Sequence, residues 1–422
     1  MKHKIFTPYR VCPLGAHVDH QLGQVTGFAI DRGVNLEFDI TEDGTFDLIS
    51  KNYPGHIMFT LEDELEREML WGDFLKAAIV ALSRKYELRR GIKGVIEGTL
   101  PVGGLSSSAA VILTYLNAVC IANDIQITRP EIISNAIWAE RNYIGVNVGK
   151  LDQSCEVYCR KNGLLFLDTL DDSNEIIPVS YNMKPFEIMI VFGGKERQLA
   201  GSAYNTRVDE CKAAAYALQA YAGMDYGNYK DTYLRNVPIG VYLQYKDRLP
   251  ENWRKRAEHF YGERQRVKDG IKAWKKGDIE EFGQLMFQSG RSSIELYETG
   301  SDNLRDLQDI FENTDGIYGG RFSGAGFNGS SIALINPDKK EEIADKVRKE
   351  YIKRHPNLEK DFAIYFVNTA DGGHAGGHRR QRVYPGPVRP GGHAAGSGGT
   401  EVLSHLCAGP VHGLSDPAVT LY

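Results

Sequence analysis

A chain of 422 residues exceeds what one hydrophobic core usually serves, so two domains are expected. A formal net charge of −5 offers no basic surface for nucleic acid or anionic lipid. No apolar run of about eighteen residues offers a membrane span, no apolar stretch follows the basic N-terminus as in a secretory leader, and six cysteines lack paired metal spacing. Cys155 and Cys159 alone make no zinc site, and the thiols read as buried groups in a reducing cytoplasm.

In chain order, the pattern predicts a strand over 27–40, a helix over 63–86, a strand over 92–98 and a helix over 106–122. Strands and helices alternate early. Thr128 and Glu131 have the spacing of a capping box and open a helix that runs to about residue 143. From about residue 185 the texture changes: a strand over 187–192, charged helices over 203–222 and 253–276, then a strand, helix, strand ending over 330–336, 338–353 and 362–368. The expected division is 1–180 and 181–372. Residues 373–422 hold no lysine, are dense in Gly, Pro and His, and read as a disordered or non-native tail. The irregular spacing of His374, His378, His393, His405 and His412 argues against a metal tract.

The densest chemistry lies between strand 92–98 and helix 106–122, where Gly103-Gly104-Leu105-Ser106-Ser107-Ser108-Ala109 joins the two elements. Glycines let backbone N–H groups approach an anion, and the helix that follows presents free donors and a positive dipole end. The three serines are expected in its first turn, with hydroxyls able to reach a phosphate or its metal. A nucleotide is the expected guest. No Gly-Lys-Ser/Thr follows and this segment does not have the form Gly-x-Gly-x-x-Gly, so it is neither a P-loop nor a dinucleotide fingerprint. This segment resembles the second motif of the GHMP kinases, with a loop one residue shorter than in most members.

Nearer the N-terminus, Arg10-Val-Cys-Pro-Leu-Gly-Ala-His-Val-Asp-His packs an arginine, two histidines and an aspartate around glycine, a composition suited to a hydroxyl-rich ligand. It is similar to the galactokinase signature Gly-Arg-x-Asn-Leu-Ile-Gly-Glu-His-x-Asp-Tyr, which Arg10, Gly15, His17 and Asp19 match in register. Gly149-Lys-Leu-Asp-Gln resembles the family's Gly-x-Met-Asp-Gln and implies that Asp152 is the catalytic aspartate. Ala139-Glu140 resembles the pair whose glutamate binds magnesium, and Ser202-Ala-Tyr-Asn-Thr-Arg places Tyr204 where a tyrosine touches the sugar. Gly320-Arg-Phe-Ser-Gly-Ala-Gly resembles the third motif, so Ser323, Gly324, Ala325 and Gly326 are expected to line the site.

The resemblance implies the two-domain α+β GHMP kinase fold with the active site in the interdomain cleft, ATP as phosphoryl donor, and Mg²⁺ held by Ser108 and Glu140. It implies Asp152 and Arg10 as catalytic, and Ala16, His17, Asp19, His20 and Tyr204 as substrate-binding. Transfer to a sugar hydroxyl needs an in-line nucleophile, charge neutralisation and a proton acceptor, which these residue types can supply.

Ala16 stands where galactokinases carry glutamate, and this directs the choice of sugar. Two carboxylates about 4 Å apart repel by roughly 4 kcal/mol at an effective dielectric of about 20, on the order of a thousandfold in binding. Losing the acid admits a uronic acid and removes from galactose a charge-assisted hydrogen bond of about 1.5–3 kcal/mol. With its three motifs, the chain resembles galacturonokinases among the galactokinase-like enzymes. Lys195, Arg197 and His20 are the expected cations for the sugar carboxylate. The alternatives are a galactokinase, a catalytically silent sugar sensor, and a nucleotide-binding module that takes no sugar. The sequence fixes no oligomeric state.

Overall fold

Four strands precede the first α-helix: β1 (His3–Val11), β2 (Gln24–Thr41), β3 (Thr45–Ser50) and β4 (His56–Thr60). Early alternation of strand and helix is therefore not what this sequence forms. Its short, half-exposed β3 and β4 carry too little apolar pattern to announce themselves. The computed structural model describes residues 3–100, 103–195, 201–225 and 227–376, all within the compact unit Met1–Arg382.

There follow α1 (Asp73–Ser83), β5 (Gly91–Gly98), α2 (Ser107–Ala122), α3 (Arg129–Trp138), α4 (Leu151–Tyr158), β6 (Gly163–Asp168) and β7 (Asn174–Pro178). The predicted helix over 63–86 is shorter at its start. The Asp73 carboxylate accepts the N–H groups of Glu68 (3.0 Å) and Met69 (2.7 Å), which holds the preceding loop in a turn with Met69 at φ 61°. At α3 the capping box is present: Thr128 Oγ1 accepts Glu131 N–H at 3.4 Å, and the Glu131 carboxylate, held also by the Thr128 backbone, accepts the Tyr86 hydroxyl at 2.8 Å.

The second half contains β8 (Glu187–Gly193), α5 (Gly201–Tyr221), α6 (Ile239–Tyr245), α7 (Glu251–Lys276), α8 (Ile279–Glu295), α9 (Asp302–Glu312), β9 (Ile317–Phe322), β10 (Ser330–Ile335), α10 (Lys340–Arg354) and β11 (Phe362–Val367). Two short strands, β12 (Thr369–Ala370) and β13 (His374–Gly376), end the described chain. The expected tail from 373 thus begins inside a sheet, and the rest of it, 377–422, lies outside the described residues.

Two sheets organise these elements into the expected α+β architecture. The larger runs β13-β1-β2-β5-β3-β4, with β6, β7 and β12 attached through the long β2; among the described residues only β3 and β5 pair in parallel. The smaller runs β11-β8-β10-β9 and is antiparallel throughout. One core lies between the large sheet and α1 to α3, with α2 apolar on nearly every face because it runs through its middle. A second core fills the α5, α6 and α7 region, and a third joins the small sheet to α9 and α10. Trp274 of α7 is fully buried against Phe28 (5.4 Å between ring centroids), Phe186 (5.7 Å) and Phe282 (5.1 Å), tying the large sheet to the later helices. Such a side chain is worth about 3–5 kcal/mol on truncation to alanine.

One irregularity bears on function. The β1–β2 register breaks between Pro8 and Arg10. Proline cannot donate to the ladder, and a bulge of this kind re-aims the side chain that follows. Gly33, opposite Pro8, has no room for a Cβ because the Thr7 carbonyl occupies that space.

Candidate active site

Arg10 leaves this break and reaches across the molecule. Its Nε and Nη2 both lie 2.8 Å from Asp152 Oδ1 at the start of α4, and Nη1 donates to the Gly104 carbonyl (3.2 Å) and Ser323 Oγ (3.4 Å). Three of the motifs singled out in the sequence therefore meet on one guanidinium. Burial works against the Arg10 charge, and the Asp152 carboxylate outweighs it, so the group is held protonated.

The glycine loop before α2 is locked to the loop after β9 backbone against backbone. Ser323 Oγ donates to the Gly104 carbonyl at 2.7 Å and Ser330 Oγ to the Gly103 carbonyl at 3.0 Å. Gly104 sits at φ 94°, and a Cβ there would stand 2.8 Å from the Ser323 carbonyl oxygen; one on Gly324 would stand 2.9 Å from Gly104 Cα. Leu105 is fully buried and its carbonyl accepts Arg10 N–H at 3.3 Å. Ser107 and Ser108 open α2, and Ala109 packs inward. Ser106 lies before the helix and not in its first turn: it takes a left-handed backbone at φ 62°, and its hydroxyl is buried without a partner. Ala325 and Gly326 complete the facing loop, where Gly326 at φ 81° bends the chain so that its carbonyl accepts Gly300 and Ser301 N–H.

The N-terminal signature forms the other wall. Asp19 is partly buried and accepts Leu151 N–H at 3.2 Å, one residue before Asp152. A Cβ on Gly149 would fall onto the Asp19 carboxylate, which explains the glycine that opens the Asp152 motif. Burial and then repulsion from Asp152 raise the Asp19 pKa. His17 is buried at φ 60°, stacks on Tyr297 at 4.5 Å, and has no partner at Nε2. Burial, then the Arg321 charge, hold it neutral. Tyr204 of α5 meets the His20 ring edge-on at 6.0 Å, and its hydroxyl is pushed up by burial and by Asp19.

In the free protein His20 is a neutral group and not the expected cation. Burial lowers its pKa to about 3, and Nε2 is engaged with the Tyr297 hydroxyl at 2.9 Å. Arg197 lies outside the described residues. Lys195 is placed through its carbonyl, which accepts Gly329 N–H at 3.3 Å beside the third-motif loop.

Sequence reading missed the charge behind Ala16. Glu263 of α7 is fully buried; its Oε2 accepts Arg266 Nε at 2.6 Å, and its Oε1 lies 4.0 Å from Arg321 Nη1. Burial would raise the Glu263 pKa, but Arg266, His259, Arg321 and Ser289 bring it down to about 2. Two guanidinium groups thus share one carboxylate. The available signal was the i, i+4 spacing of His259 and Glu263 with Arg266 three residues on, which puts polar groups on one inward helix face.

For a metal, Glu140 is buried in a π-helical turn (Ala139–Ile144) that continues α3, and its carboxylate accepts the Gln153 amide, leaving Gln153 Oε1 buried and without a partner. No cage of three or more His, Cys, Asp or Glu side chains forms among the described residues. Mg²⁺ beside phosphates takes few protein oxygens, so the Glu140 carboxylate and Ser108 hydroxyl fit that chemistry.

Sequence comparison matches residues 73–160 to the GHMP kinases N terminal domain and 271–353 to the GHMP kinases C terminal family. The chain is 36% identical to the galacturonokinase of Arabidopsis thaliana over 391 residues, covering 87% of this chain and 89% of the relative. It belongs to the GHMP kinases. Within this family it is also 30% identical to the galactokinase of Thermosipho africanus, over 87% of this chain and 98% of that one. The Lactococcus lactis galactokinase solved with galactose superposes at a TM-score of 0.80 with 29% identity, covering 88% of this chain and 94% of that one. The Methanococcus jannaschii mevalonate kinase shares the fold at a TM-score of 0.59 and 17% identity. The chain is accordingly an ATP-dependent kinase of the galactokinase-like group.

Proposed function

We propose that this kinase transfers the γ-phosphoryl group of ATP to the anomeric hydroxyl of D-galacturonate, giving galacturonate 1-phosphate and ADP. The observation that carries this reading is Ala16: a methyl group where an acid would repel a uronate, backed by Arg266 and Arg321 around the single carboxylate of Glu263. Two guanidinium groups around one carboxylate leave a local positive charge beside the loop, which suits an anionic sugar. The similarity to a galacturonokinase points the same way.

Each residue then has a role. Asp152 is held by Arg10 through Oδ1, which leaves Oδ2 for the anomeric hydroxyl; as that oxygen attacks the γ-phosphorus, its proton passes to Asp152 and the bond to the β–γ bridging oxygen breaks. Arg10 stabilises the charge spreading over the transferred group. Asp19, His17 through its unpartnered Nε2, His20 and Tyr204 bind the sugar hydroxyls, with Ala16 facing its sixth carbon. The 103–109 segment and the N-terminus of α2 take the phosphates, with Ser323 to Gly326 closing the loop opposite. Ser108 and Glu140 would hold Mg²⁺, which when bound neutralises phosphate charge. The site lies in the cleft between a 1–180 and a 181–372 domain, and the setting is cytoplasmic. Among the described residues no helix is long and apolar enough to cross a membrane.

The test is ADP release with Mg-ATP and D-galacturonate, D-galactose, D-glucuronate or L-arabinose offered in parallel, with Asp152→Asn as control. The expected result is greatest kcat/KM for galacturonate, with kcat lowered about 10²–10⁴-fold in the control. Preference for galactose would establish the second reading, which the likeness to the galactose-bound galactokinase supports. Binding without turnover of any sugar would establish a sensor.

A further inference from the structure

Behind the N-terminal loop, two α7 side chains with no part in the phosphoryl transfer converge on consecutive peptide groups. Glu263 Oε1 accepts Gly15 N–H at 2.8 Å and Ala16 N–H at 3.4 Å, and also the Ser289 hydroxyl. His259 Nε2 lies 3.0 Å from the Ala16 carbonyl oxygen. A carbonyl can only accept, so that nitrogen carries the proton, and Nδ1 accepts from the Ser292 hydroxyl at 2.8 Å. The Ala16 residue is therefore gripped at both its N–H and its C=O from one helix face.

The loop has need of such a grip. Gly15 at φ 91° and His17 at φ 60° bracket Ala16 with left-handed backbone, and a non-glycine residue holds that conformation only where its surroundings over-determine it. A Cβ on Gly15 would stand 2.7 Å from the Gln24 carbonyl oxygen, so the loop is pressed from its other side as well. The phosphate loop is anchored separately, through Ser323 and Ser330.

We propose that Glu263 and His259 form a clamp that fixes the backbone of residues 15–17, making Glu263 a positioning residue for sugar binding and not for nucleotide binding. The sugar part of this inference rests on the reading of that loop given above. Glutamine at 263 keeps one acceptor oxygen for donors that now use two, and its amide hydrogens oppose Arg266 and Arg321, so the grip on Gly15 and Ala16 is lost.

The experiment compares Glu263→Gln with Glu210→Gln. The second variant removes the α5 carboxylate that accepts from Arg256 of α7 at 2.6 Å and makes no hydrogen bond to residues 15–17, and so controls for general loosening. Amide hydrogen exchange is followed in peptides covering 14–17 and 105–112, alongside KM for sugar and for ATP. The expected result for E263Q is about tenfold faster exchange over 14–17, an increase of about tenfold in sugar KM, and an ATP KM within about twofold of wild type, with neither signature in E210Q. Ser289→Ala removes one donor to Glu263 and is expected to move exchange and sugar KM the same way by about threefold; it decides the matter should E263Q fail to fold. Unchanged exchange over 14–17 would overturn the clamp, as would sugar and ATP KM rising together. Faster exchange in a protein whose wild type turns over no sugar would support the clamp and reject the proposed function instead.

Discussion

Replacing Ala16 by glutamate reverses the feature on which the choice of sugar depends. Ala16 is nearly buried, with its N–H on Glu263 and its C=O on His259, so the new side chain leaves a backbone that is already fixed. At about 4 Å from a substrate carboxylate, the added charge costs roughly 1 kcal/mol if the pocket behaves as water and roughly 4 kcal/mol at an effective dielectric of about 20. The same carboxylate offers the hydroxyl at the sixth carbon of galactose a bond of about 1.5–3 kcal/mol. Together these shift the galacturonate to galactose ratio of kcat/KM by about 2.5–7 kcal/mol, which is on the order of 10²–10⁵-fold. The assay is coupled ADP release with each sugar at fixed Mg-ATP, for wild type and Ala16→Glu, with the ATP KM as an internal control. A shift of less than about tenfold, or equal losses on both sugars, would refute the electrostatic reasoning.

Gly149→Ala drives a methyl group onto the Asp19 carboxylate; steady-state kinetics should show a raised sugar KM with little change for ATP, and thermal unfolding a loss of about 1–3 kcal/mol. Acid should destabilise the fold through its buried imidazoles. His20 and His259, held to about 3 and about 4 by burial against an ordinary 6.5, are refused protons that the unfolded chain takes up. Their contribution is fully present above about pH 6.5 and is lost as pH falls toward 3, with Glu263 adding to the loss between about 4.5 and 2. Calorimetry from pH 8 down to 4 should show Tm falling from near pH 6.5, and a Tm independent of pH over 6.5–4.5 would contradict neutral burial.

What could be read from the sequence was what the chain keeps contiguous. The glycine loop, Arg10 and Asp152 each sit in a short stretch whose residue types carry their chemistry locally, and the structure brings them onto one guanidinium. The clamp was hidden for the opposite reason. Glu263 and Gly15 are 248 residues apart, and nothing near either names the other. The over-long helix at 63–86 has a similar origin: an apolar helical pattern does continue upstream of Asp73, but two hydrogen bonds from backbone to that one carboxylate outcompete it. His20 misled because residue type alone shows a basic side chain, whereas its protonation is decided by burial.

The return of the chain to the large sheet also shapes how this protein is made. β12 and β13 pair with β2 and β1, strands synthesised more than three hundred residues earlier. At ordinary ribosomal speed the segment up to β5 waits on the order of tens of seconds for those partners, with the edge of β1 open at Lys4 to Phe6. An unpaired edge of this kind can template association with other chains, a hazard that lasts until the protein's own last strands close it.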